Sequence, residues 1–157
     1  MAKPKFENIN DVMNHIQTEL KAPKNLVNKF GGFKYRNLES IVESLKPIMK
    51  EIGNCYVTMS DEIEPDHLGM DGSYLYVKST VAFHWKNERI ETKGCAGISM
   101  NKKGMDTAQV TGSASSYARK YAMNGLFAID DSVQEAIMEI DAQNGASNNN
   151  KKATIGG

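Results

Sequence analysis

Gln109, Ser113, Ser116 and Lys120 recur at spacings of four, three and four residues, the repeat that lines side chains along one stripe of an α-helix. On a helical wheel, Gly112 and Arg119 flank that stripe on one edge and Asn124 on the other. Small hydroxyl and amide groups with no bulky apolar side chain among them let a phosphodiester backbone come close, while Lys120 and Arg119 supply positive charge. Glycine inside a helix costs about 1 kcal/mol relative to alanine, and close approach of a ligand or another backbone at Gly112 would offset it. A solvated helix face has the same composition, so periodicity alone leaves both readings open.

A second constellation lies upstream, where KNLVNKFGGFKYRN interleaves Phe30, Phe33 and Tyr35 with Lys29, Lys34 and Arg36. Aromatics alternating with cations suit a site where bases stack and phosphates are neutralised. Phe33 and Tyr35 can equally be core aromatics at a sheet edge, with Lys34 and Arg36 turned outward. Lys102 and Lys103, in the loop NKKG before the periodic segment, either join that segment in one groove or lie in a solvated loop. Asp61, Glu62, Glu64, Asp66 and Asp71, with Asp130 and Asp131, admit a metal-dependent nuclease as the rival chemistry. They have no fixed ligand spacing, which favours a solvated hairpin tip. Cys55 and Cys95 form no CxxC and read as buried and reduced, and His15, His67 and His84 lack metal-binding spacing, so no metal and no cofactor are expected.

These side chains need elements to hold them. Between Asn8 and Lys21, Ile9, Val12, Met13, Ile16 and Leu20 have helical spacing. Asn37 can cap a second helix, with a kink at Pro47 and an end at Gly53. From Asn54 the period becomes two. Leu75, Val77, Val81, Phe83 and Trp85 then fall on one face of a strand, with Tyr74, Tyr76, Lys78, Thr80 and His84 opposite. With a strand from Arg89 to Ser99, this predicts a meander of about three antiparallel strands in which Gly94 and Gly97 mark a bulge or a close backbone approach. Asp106 and Gln109 form a capping-box pair that opens a long helix to about Phe127. Its packed side should carry Val110, Ala114, Tyr117, Ala118, Tyr121 and Ala122. A short fourth helix is expected from Ser132 to Ala142.

The expected fold class is therefore α+β: a three-stranded antiparallel meander packed with a long helix, preceded by N-terminal helices and followed by a flexible polar tail. One domain over residues 1–142 and a tail over 143–157 suit a chain of 157 residues with 40% hydrophobic and 24% charged side chains. Its longest apolar runs fall short of a membrane span, and MAKPKFENIN lacks the apolar core of a signal peptide. The net charge is zero, yet it is distributed in blocks. Residues 1–50 carry nine basic and five acidic side chains, 51–75 none and six, 76–129 eight and three, and 130–157 two and five. A basic face is possible on such a neutral chain.

The run DTAQVTGSASSYARKYAMNGLFAIDDS, from Asp106 to Ser132, resembles the signature of the ERF (essential recombination function) family of phage single-strand annealing proteins. FKYRNLESIVESLKPIMKEIG is similar to a second motif of that family, and with the intervening strands the resemblance covers roughly residues 7 to 135. The resemblance implies ATP-independent binding of single-stranded DNA and annealing of complementary strands in phage-type homologous recombination, by a protein that is not an enzyme. The absence of a GxxxxGK[ST] phosphate loop agrees with this. It implies as partners single-stranded DNA, the annealing duplex intermediate and further copies of the chain in a ring or helical filament, with a phage exonuclease or host single-strand-binding protein beyond these. No membrane partner is expected, and the expected location is the bacterial host cytoplasm. Lys120 stands where a second arginine is common, and the C-terminal region is shorter than in many members. The residues expected at DNA are Lys34, Tyr35, Arg36, Lys102, Lys103, Gln109, Gly112, Ser113, Ser116, Arg119 and Lys120. A structural oligomer subunit without a basic groove is the third reading.

Overall fold

The computed structural model describes residues 4–65, 75–99 and 103–130. The expected fourth helix and tail lie outside them, as do Lys102, His67, Asp66 and Asp71. The chain divides into two compact units: Met1–Ala22 with Asn37–Ile129, and Pro23–Arg36 with Asp130–Gly157.

In the first unit the helices begin where side chains satisfy the first free backbone N–H groups. Asn8 and Asp11 form a capping box at α1 (Ile9–Glu19). Asn37 accepts from the Ser40 backbone N–H at 2.9 Å and opens α2 (Leu38–Ile52), which runs on through Pro47 and ends at Gly53, φ 71°. Asp106 accepts from Gln109 N–H at 2.8 Å while the Gln109 side chain accepts from Asp106 N–H at 3.2 Å, opening α3 (Thr107–Phe127). Asp106→Ala removes the half of that box made by the Asp106 carboxylate and leaves the backbone N–H of residue 106 to donate to Gln109, and it is expected to cost about 1 kcal/mol in denaturant melts. An unchanged midpoint would show that α3 starts independently of its cap.

The sheet has the order β3-β4-β5, all antiparallel, with β3 Cys55–Pro65, β4 Leu75–Trp85 and β5 Glu88–Ile98. Two expectations change here. Residues 61–65, read as the start of an acidic loop, continue β3, because Asp61 pairs with Ser79 and Glu64 with Tyr76 in register. No bulge interrupts β5, whose ladder with β4 runs unbroken from Leu75↔Ile98 to Trp85↔Glu88. The face alternation holds. Val77, Val81, Phe83 and Trp85 are buried beneath the helices, while Tyr76, Lys78, Thr80 and His84 lie on the other face.

Ile9, Val12, Met13 and Ile16 of α1, Ile41 and Leu45 of α2, and Met123, Leu126 and Phe127 of α3 meet Val81, Phe83 and Trp85 in the main core. Val110, Ala114 and Ala118 close a second cluster over Val77 and Ile98. In the second unit, Leu26–Val27 (β1) and Lys34–Tyr35 (β2) form a short antiparallel hairpin. Among the described residues no helix is long and apolar enough to cross a membrane.

Candidate nucleic-acid interface

The seat of α3 on the sheet decides which of its side chains remain available. One row across the sheet, Asp61 on β3, Ser79 on β4 and Gly94 on β5, is made of register partners that are small or polar. Because Gly94 has no side chain, the helix backbone settles onto it. A Cβ there would lie 2.3 Å from the Ala118 carbonyl oxygen and 2.5 Å from the Ala122 nitrogen. Close backbone approach, one of the two readings of Gly94, is thus what the fold contains. Thr92 on β5 donates to the Ala122 carbonyl at 2.6 Å.

At the other end of the row, Asp61 receives a fork from Arg119, Nη2 at 2.8 Å and Nε at 3.1 Å, and a hydrogen bond from Ser115 at 2.6 Å. Ser79 adds a third donor at 2.5 Å. Partial burial alone would raise the Asp61 carboxyl. The hydrogen bonds from Arg119, Ser115 and Ser79, with the arginine charge, outweigh it and hold the group below the usual aspartate range. The bidentate geometry that makes arginine suited to phosphate is here engaged by a carboxylate of the same chain. Arg119, expected on an open polar edge, therefore fastens α3 to β3.

Lys120 needs a larger correction. Expected on the open stripe, it is only 7% exposed. The stripe is open in the first half of α3, where Gln109, Gly112 and Ser116 are exposed and Ser113 is half-buried. One turn beyond Ser116 it passes under the main core, because Met123 and Phe127 on the same side pack among α1 and α2. A helix wheel treats the helix as uniformly flanked, whereas this one has different neighbours along its length. The tyrosines shift in the opposite sense. Tyr117 is half-buried, and Tyr121, expected on the packed side, is 41% exposed and lies against the Tyr117 ring at 6.1 Å.

Gln109 already serves the capping box, and a methyl group placed on the Gly112 Cα would meet nothing within 4 Å. No internal packing explains a glycine there. Lys103 is exposed in the turn before α3, where Gly104 adopts φ 85°.

In the hairpin unit, Lys34 is exposed, while Tyr35 and Arg36 are half-buried. Phe33 and Tyr35 pack on each other at 6.3 Å, and the Arg36 guanidinium donates to the Asp130 carbonyl oxygen. From Leu20 to Leu38 the sequence holds Lys21, Lys24, Lys29, Lys34 and Arg36 and no carboxylate.

A sequence model of the ERF superfamily matches residues 9–155, nearly the whole chain. The chain belongs to the ERF superfamily. Over 116 residues it is 47% identical to the "Essential recombination function protein" of Salmonella phage P22, an alignment covering 74% of this chain and 53% of that relative. The chain thus spans about half the length of the curated relative it matches. No solved structure matches.

This ERF-superfamily chain also carries features that motif and period do not bring out. On the sheet face away from the helices, exposed Tyr56 stacks on His84 with ring centroids 4.4 Å apart, and Thr58 Oγ1 lies 3.0 Å from His84 Nε2. Glu64 accepts from the Tyr76 hydroxyl at 2.7 Å and from Lys78 at 3.0 Å, and both bonds hold its carboxyl below the usual range. Cys95, expected to be buried, is exposed, and Cys55 is half-buried. Phe30, grouped by sequence with the loop aromatics but not with the residues expected at DNA, is 75% exposed. Its sequence signal was the Gly31-Gly32 pair beside it, which marks a turn tip and not a packed strand.

Proposed function

We propose that this chain binds single-stranded DNA and promotes annealing of complementary strands, without ATP and without cutting, as an oligomer in phage-type homologous recombination. The observation that carries this reading is the segment from Leu20 to Leu38, whose sequence holds five cations and no Asp or Glu and in which Lys29 and Lys34 are exposed. Such a segment attracts phosphates through counterion release, which requires clustered cations and tolerates a neutral total charge. Membership in the ERF superfamily and the likeness to a protein named for recombination point the same way.

The open half of α3, with Gln109, Gly112, Ser113 and Ser116, is a second surface that a strand can approach closely, with Lys103 before it. Lys34 and Arg36 are assigned to phosphate and Tyr35 to the hairpin's own packing. Arg119 and Lys120 act on binding only through the fold. Annealing two long strands needs many linked binding sites, so the working form is an assembly of identical copies.

The nuclease alternative finds little support in the described carboxylates. Asp61 and Glu64, three residues apart on β3, lie on opposite faces of the sheet and are each already hydrogen-bonded. Among the described residues no group of three or more His, Cys, Asp or Glu side chains could hold a metal.

The test is a titration of fluorescent oligothymidylate and of preformed duplex in EDTA without nucleotide. The single strand should bind more tightly. With about three phosphate contacts, affinity for it should fall roughly twenty-fold between 50 and 200 mM salt. Complementary oligonucleotides should anneal faster with the protein than without it. A salt-insensitive affinity, or cleavage that appears only with divalent metal, would overturn the reading.

A further inference from the structure

The aromatic side chains of the hairpin unit fall into two groups. Phe33 and Tyr35 spend their faces on each other, with centroids 6.3 Å apart. Phe30 is 75% exposed, the most exposed large hydrophobic among the described residues, and has no ring partner there. Hydrogen bonds hold the backbone of the tip that carries it. The Asn28 side-chain oxygen accepts from the backbone N–H of Phe30 at 2.9 Å and of Gly31 at 3.1 Å. The Asn28 carbonyl accepts from Gly32 at 2.8 Å, and Asn28 N–H donates to the Phe33 carbonyl at 2.9 Å. Gly32, at φ 68°, supplies the left-handed turn that closes the tip.

We infer that Phe30 is the stacking residue of the hairpin: its ring takes an unpaired base of single-stranded DNA while Lys29 and Lys34 take the adjoining phosphates. This rests on the proposed function and names the contact through which the hairpin would prefer a single strand to a duplex. In duplex DNA the base faces are covered by their neighbours, whereas an unpaired base offers a face to an exposed aromatic ring. Protein partners favour contiguous apolar patches depleted in lysine. Here a single protruding ring stands among cations in a stretch with no carboxylate, which is the composition of a strand-binding surface.

The experiment uses the full chain, its Phe30→Ala and Phe30→Trp variants, and oligothymidylate as the probe. Phe30→Ala should weaken binding about ten-fold with an unchanged salt slope, because stacking releases no counterions. Its melting temperature and sedimentation should match the parent. Phe30→Trp should restore affinity, and oligothymidylate should quench its emission beyond any change seen in the parent, whose one tryptophan, Trp85, is buried. Unchanged binding by Phe30→Ala, with the parent binding normally, overturns this inference and leaves the function standing. Altered sedimentation of Phe30→Ala with intact binding overturns it in favour of a contact between copies. A parent chain that fails to bind oligothymidylate overturns both.

Discussion

Gly94→Ala is expected to destabilise this chain by about 3 kcal/mol or more, the upper end of what overpacking usually costs. The new methyl would sit 2.3 Å from the Ala118 carbonyl oxygen and 2.5 Å from the Ala122 nitrogen, and both are helix backbone. A flexible side chain can swing aside, but a backbone atom moves only with its helix. Relief therefore requires α3 to rise off β5, which would stretch the Thr92 hydrogen bond to Ala122 and loosen the packing of Ala118. At this chain length the loss corresponds to a melting temperature lower by roughly 6–12 °C. Gly112→Ala supplies the opposite sign. Nothing lies within 4 Å of its Cβ position, so better helix propensity should add up to about 1 kcal/mol. A Gly94→Ala protein that melts with the parent would refute the seat of α3 described above.

Arg119→Ala should cost about 2 kcal/mol at neutral pH, between the values for surface and buried ion pairs, since Arg119 and Asp61 side chains are 34% and 20% exposed. The substitution leaves Asp61 charged with Ser115 and Ser79 as its side-chain donors among the described residues. Arg119→Lys keeps the charge but not the fork, and should fall between parent and alanine. The pH dependence has a definite sign. Asp61 titrates below the ordinary 3.8 when folded, so its contribution is complete above about pH 4 and is lost as pH falls through the lower folded value. The stability gap between parent and Arg119→Ala should therefore close in strong acid. Denaturant melts at pH 7, 5 and 2.5 measure it. A gap that persists undiminished at the lowest pH, or none at pH 7, would remove Asp61 as the partner that matters.

Much of the architecture was legible because it follows from local rules. Asn37 and the Asp106–Gln109 pair cap their helices as their side-chain chemistry requires, and alternation from Leu75 to Trp85 sorted the two sheet faces. Composition misled at Asp61–Pro65, where acids suggested a loop. An eleven-residue β4 needs a partner of matching length, so the strand continues. The wheel of α3 misled for a related reason: it held for Val110, Ala114 and Ala118 over the sheet and failed for Lys120, which is buried one turn before Met123, where the helix joins the main core.

The sequence by itself determined where helices start and stop, which strand face is apolar, the interleaving of aromatics with cations from Lys29 to Arg36 and the family to which the motifs belong. These depend on side-chain chemistry and on spacings within a few residues. Only the tertiary structure decided that Arg119 reaches Asp61 across 58 positions, that Gly94 exists to admit a helix backbone, and that Phe30 stands out while Phe33 and Tyr35 pair. Each of those outcomes depends on what another segment places opposite the residue, and a one-dimensional period carries no information about the neighbour.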